Sequence, residues 1–142
     1  MDCLVELVDR WKAEGLQLVP AATAAEVREA FQAVNSEATP DVVTMYTTVG
    51  GMQNMDRELW RLWSLDEIKS ENATPSPDGV LFSDYLIASW CFRLKVNSDG
   101  TSAVLVDYFD GSESVQITQT LNEFVRLYLA DATRLVDPAS HS

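Results

Sequence analysis

The stretch DYFDGSE sets Asp107, Asp110 and Glu113 three residues apart. Three carboxylates in a turn are the oxygen ligands a hard cation such as calcium takes, and they would suit a carboxylate-dependent metal enzyme. The plainer alternative is a hairpin in which Asp110-Gly111 supplies the backbone angles of a tight turn and the acids face water. The ligands do not alternate as an EF-hand loop requires, so no metal or other cofactor is expected. Nucleophilic catalysis has less to work with. The one histidine, His141, is second from the end, whereas a Ser-His-Asp or Cys-His pair needs an imidazole fixed beside its nucleophile. Cys91 shares a strand face with Arg93 and Lys95, which would lower its pKa, or else it simply packs. Trp60 and Trp63, near Arg57 and Arg61, are either core or a stacking platform. Asp84 beside Tyr85 reads as a hydrogen-bonded pair at a strand end.

These residues need a scaffold, and the first half of the chain supplies helices. Leu4, Leu7, Val8 and Trp11 recur at helical spacing, as do Val27, Ala30, Phe31 and Val34. Thr23 and Glu26 form a capping box, which predicts a helix over 24–35. In TPDVVTMYTTVGGM (39–52) Thr39 is the expected N-cap, Pro40 the first helical residue, and Val42, Met45 or Tyr46, and Val49 the buried stripe. Gly50 or Gly51 is expected to close that helix in a left-handed conformation. A phosphate loop is excluded because its glycines precede a helix and follow a strand.

The second half reads as strands. ELWRLW begins them, Ser64 and Glu67 cap a short helix, and NATPSPDG is a loop. From Val80 one long strand is expected through VLFSDYLIASWCFRLKV, with Leu86, Ala88, Trp90, Phe92 and Leu94 on the core face. Two hairpins follow, turning at NSDG and DGSE. Thr120 and Glu123 cap a closing helix carrying Leu121, Phe124, Val125, Tyr128 and Leu129, and residues 137–142 read as a frayed tail. The pattern predicts a single α+β domain over 1–142, with N-terminal helices and a C-terminal helix on a mostly antiparallel sheet of roughly four to six strands.

Charge points to partners. The 142 residues carry a net charge of −12, which repels nucleic acid. No basic residue stands between Lys95 and Arg126, where Asp99, Asp107, Asp110, Glu113 and Glu123 fall, so one face of the C-terminal half should be strongly negative. Without a long apolar run or a signal-like start, and with two distant cysteines, a cytoplasmic protein off the membrane is expected. Asp84, Asp107, Asp110 and Glu113 sit at predicted strand ends and turns, where binding surfaces are common, and are the expected partner-facing residues.

Three stretches, in this order, resemble the SUKH superfamily of immunity and regulatory domains, which includes the fungal cell-wall synthesis regulators of the Smi/Knr type. Residues 39–51 resemble its proline-led helix ending in a glycine turn. LWRLWSLDEIKSEN resembles its strand, short helix and asparagine, and QITQTLNEFVRLYL its C-terminal segment. Together they cover about residues 24–132. The resemblance implies a non-catalytic, protein-binding domain, first of all a bacterial immunity protein that neutralises a cognate toxin, such as a basic nuclease or deaminase. An intracellular regulatory or scaffold domain of the same fold is the alternative.

Overall fold

The computed structural model describes residues 2–86, 89–132 and 134. Its helices begin where side chains can satisfy free backbone N–H groups. Thr23 and Glu26 make the full reciprocal capping box, and α2 runs Ala24–Ala33 with Val27, Ala30 and Phe31 buried. Ser64 and Glu67 do the same for α4, Leu65–Glu71. At α5, Leu121–Asp131, Thr120 accepts from Glu123 N, while the Glu123 carboxylate reaches the N–H of Gln119 instead of closing the box. The first helix, α1 (Asp2–Ala13), buries Leu4, Leu7, Val8 and Trp11.

The helix α3, Pro40–Thr48, departs from expectation at both ends. Thr39 stands at the N-cap but makes no capping bond, because its hydroxyl is held between Asp41 and the Ser102 hydroxyl. Asp41 also accepts from Ser102 N, tying the start of α3 to a strand 61 positions away. At the other end the helix stops on Val49 in an extended conformation, before either glycine. The glycines serve close approach. A Cβ on Gly50 would lie 2.0 Å from the Pro20 carbonyl oxygen, and one on Gly51, whose φ is +136°, would lie 2.9 Å from Ser64 N. They let a two-stranded ribbon form that periodicity did not predict, β1 (Leu18–Val19) against β2 (Gly51–Met52).

The main sheet is an antiparallel meander of five strands in chain order: β3 (Trp60–Leu62), β4 (Val80–Tyr85), β5 (Trp90–Val96), β6 (Ser102–Asp107) and β7 (Val115–Thr118). The single strand expected over 80–96 is therefore two strands joined by a turn. The break falls at Leu86, whose φ is +50° and whose N–H donates to Leu59 C=O. No glycine, proline or asparagine marks it, so the alternation ran on through it. Ala88, placed on the core face, lies outside the described residues, as do His141 and the segment 137–142. Leu86 is exposed, whereas Phe92 and Leu94 are buried and Trp90 half-buried on the predicted face.

Helices α1 and α5 pack together and α5 lies across the sheet. Phe124 meets Trp60, Phe82 and Phe92 at ring-centroid distances of 5.8, 6.2 and 5.7 Å. The core is contiguous from Leu4 to Tyr128. None of the described helices is long and apolar enough to cross a membrane.

Candidate functional site

Strand pairing decides which side chains share a face. Arg61 is opposite Asp84, Asp84 opposite Cys91, and Cys91 opposite Asp107, so one cross-strand row carries these four. The alternate positions Leu62, Phe92 and Val106 point into the core under α5. The polar row thus occupies the outer face of the sheet, where α4 packs against β4 along one side.

A cleft of about 730 Å³ opens on that face. The sheet contributes Leu81, Asp84 and Cys91, and the β3–α4 side contributes Arg61, Trp63, Glu67 and Glu71. The 53–55 segment and Phe109 complete the lining. Three carboxylates stand against one guanidinium.

Local structure holds each wall. Tyr46 of α3 donates to Trp63 C=O at 2.9 Å, and close packing of Gly51 on Ser64 fixes the start of α4. Asn72, at the end of α4, accepts from Leu81 N–H at 2.8 Å and donates to Leu81 C=O at 2.9 Å, extending the sheet's bonding past the end of β3. Phe109 is 53% exposed at φ +55°, a costly conformation for a bulky residue. Its N–H is held at 2.9 Å by Asp107 Oδ1.

The ionic arrangement is uneven. Arg61 forms a two-pronged bond with Glu67 at 2.6 and 2.8 Å, and also donates to Met52 C=O at 3.1 Å. Its bond to Asp84 is longer, 3.3 Å. This pairing lowers the Glu67 pKa, chiefly through the Arg61 bond, and raises that of Arg61. Asp84 is only 6% exposed. Its Oδ2 takes the Trp63 indole N–H at 2.5 Å as well as Arg61, while its Oδ1 accepts from no donor among the described residues.

Of the four residues expected to face a partner, the structure brings Asp84 into the cleft and Asp107 beside it, and leaves Asp110 and Glu113 outside. Asp84 is in β4 within the sheet and buried, not displayed at a strand end, and its partners are Trp63 and Arg61 in place of Tyr85, which stacks on Trp90. Asp107 is paired with Arg93 at 3.0 Å and serves as the anchor of Phe109. Asp110 is exposed and accepts from Ser112 N and its hydroxyl, and Glu113 is exposed. These carboxylates therefore point to separate partners, and among the described residues no group of three or more His, Cys, Asp or Glu is placed to hold a metal ion.

The reactive reading of Cys91 is overturned. Burial, then the charges of Asp84 and Asp107, push its thiol up to about 12 against a smaller opposing effect of Arg93. Trp60 and Trp63 are core residues, 3% and 4% exposed. Sequence reasoning missed Asp56, a buried carboxylate that accepts from Trp11 Nε1 at 2.8 Å, the Tyr128 hydroxyl, Glu58 N at 2.9 Å and Trp60 N at 3.2 Å. Its only local signal is that it precedes a turn. Glu67 and Glu71 were read as helix residues alone; their place on the cleft follows from where α4 docks.

Compared with known proteins, the chain matches no family model and no curated protein.

Proposed function

We propose that this chain is a non-catalytic protein-binding domain of SUKH-like character, and that it acts as an immunity protein by gripping a basic toxin. The observation that carries the reading is the cleft itself: an apolar-walled cavity with three carboxylates to one guanidinium, in a chain of net charge −12. Such a surface attracts a cationic partner at long range and offers apolar area at contact. The reading also rests on the sequence resemblance, whose three stretches form α3, β3 with α4, and β7 with α5.

The test is co-purification and calorimetry with the product of the adjacent gene, together with growth on its expression. A complex at micromolar affinity or tighter and rescue of growth are expected. No complex and no rescue would overturn the reading. Raising ionic strength well above 0.15 M, where the Debye length is about 8 Å, should slow association.

A further inference from the structure

The two charge pairs on the outer face are not equivalent. Arg93 gives Asp107 both Nε and a terminal nitrogen, and Asp107 Oδ1 takes a backbone N–H, so that carboxylate is satisfied at both oxygens. Arg61 spends its two-pronged bond on Glu67, leaving Asp84 a single longer contact and the Trp63 indole, both on Oδ2. Asp84 is more than nine-tenths buried as a residue, yet its Oδ1 takes no donor among the described residues and is not sealed from solvent, so it stands as an open acceptor for a further donor. It lines the cleft, so the donor can come from outside. Leu81, Cys91 and Phe109 supply the apolar surface that a long alkyl stem would cover on the way in.

Resting on the reading of the chain as a binding module, we propose that the cleft takes an arginine or lysine side chain from a basic segment of the partner protein, its cation donating to Asp84 Oδ1. A protein segment is favoured over a free amine by what surrounds the opening. The cavity has the volume of a ligand pocket, more than one side chain fills. Phe109, more than half exposed, stands at its rim. The stretch 96–125 holds no basic residue to repel an approaching cation. The segment therefore lays apolar neighbours on this rim while its cation enters the cleft.

The full-length chain, labelled with nitrogen-15, tests this directly. The Trp63 indole N–H resonance, assigned with Trp63→Phe, reports on the carboxylate it touches. The probes are N-acetyl-arginine amide, N-acetyl-lysine amide, the neutral isostere N-acetyl-citrulline amide, and the peptide acetyl-Leu-Arg-Leu-amide. A saturable shift with the arginine or lysine probe, at least tenfold weaker binding of citrulline, and at least tenfold tighter binding of the peptide are expected. Asp84→Asn should weaken the cationic probes about tenfold, while Asp110→Asn and Glu113→Gln leave them unchanged. Equal binding of citrulline and arginine to the unmodified chain, or no saturable shift with any cation, overturns the proposal without relying on any variant. A free arginine probe that binds as tightly as the peptide overturns the assignment to a protein segment. If the toxin is still captured while these probes fail, the binding-module reading stands and only the cleft assignment falls.

Discussion

Among the described residues, the two faces of the sheet each bury one aspartate, and they treat it differently. Under α5, Asp56 is 4% exposed and pairs with no cation among the described residues, yet four donors surround it: two N–H groups of its own turn on Oδ1, and Trp11 and Tyr128 on Oδ2. On the outer face Asp84 is almost as buried and lies beside a cation, but only one of its oxygens is occupied. Burial and charge alone would call both of them structural. Counting donors separates them, because a carboxylate bonded at both oxygens has no acceptor left to offer, whereas Asp84 keeps one oxygen that is neither bonded among the described residues nor sealed from solvent.

The largest effect expected from breaking that contrast is at Asp56. Asp56→Ala orphans the Trp11 indole, the Tyr128 hydroxyl and two backbone N–H groups in the core, and should cost about 3–5 kcal/mol of stability, measured by urea denaturation. Alkali should act next, through groups on both faces. Burial raises the pKa of Cys91 to about 12 and those of Tyr46 and Tyr128 above the ordinary tyrosine range. A group whose pKa is raised on folding contributes stability that is complete below its unfolded value and lost as pH climbs toward the folded one. The denaturation midpoint should hold steady to about pH 8.5, the thiol's unfolded value, and fall between there and pH 12. In the same way Cys91 should react with a thiol reagent at pH 8 more slowly than Cys3, which is half-buried in α1 and bonded to Asn122. A native protein whose two thiols react equally fast would show that burial on the floor of the cleft does not protect Cys91.

Asp84 should cost less. In Asp84→Ala, Arg61 keeps Glu67 and Met52, so only the Trp63 indole loses its acceptor, and the loss should be about 1–2 kcal/mol. Cationic probes should nevertheless lose their affinity. A cost as large as that of Asp56→Ala would place Asp84 among the supports of the fold and dissolve the contrast.

What the sequence revealed and what it hid follow the range of the interactions involved. Capping at Thr23 and Ser64, the helical stripe from Leu121 to Tyr128 and the turn at NSDG are set by residues a few positions apart, and all are legible. The hairpin at DGSE was placed correctly but not its form: residues 108–114 link the strands, and Phe109 and Gly111, not Asp110, take the positive φ. The turn after Tyr85 was not, because Leu86 is held at positive φ by Leu59, 27 positions earlier. Gly50 and Gly51 carried a correct warning for the wrong reason: the crowding they relieve comes from Pro20 and Ser64, and a helix can end on Val49 without them. The cleft was half visible. Alternation put Cys91 and Arg93 on one face, and Asp84 was singled out for its position, but its burial depends on where α4 docks. Asp56 gave no pattern at all, since two of its four partners come from helices at opposite ends of the chain.

The smallest expected effect runs in the opposite direction from the rest. Phe109 pays for a left-handed backbone that glycine adopts freely, and its ring, more than half exposed, returns little packing in exchange. Phe109→Gly should therefore stabilise the chain by about 1 kcal/mol, raising the melting temperature by roughly 2–5 °C. Phe109→Ala removes the same ring while keeping a Cβ in the strained conformation, and should bring no such gain. Both should weaken the arginine-containing peptide, because both strip the apolar rim of the cleft. A stabilised Phe109→Gly that binds the peptide as well as the parent would mean that the strain serves the loop alone. Stability gained together with affinity lost would identify the strain as what it costs to hold an aromatic ring at the cleft.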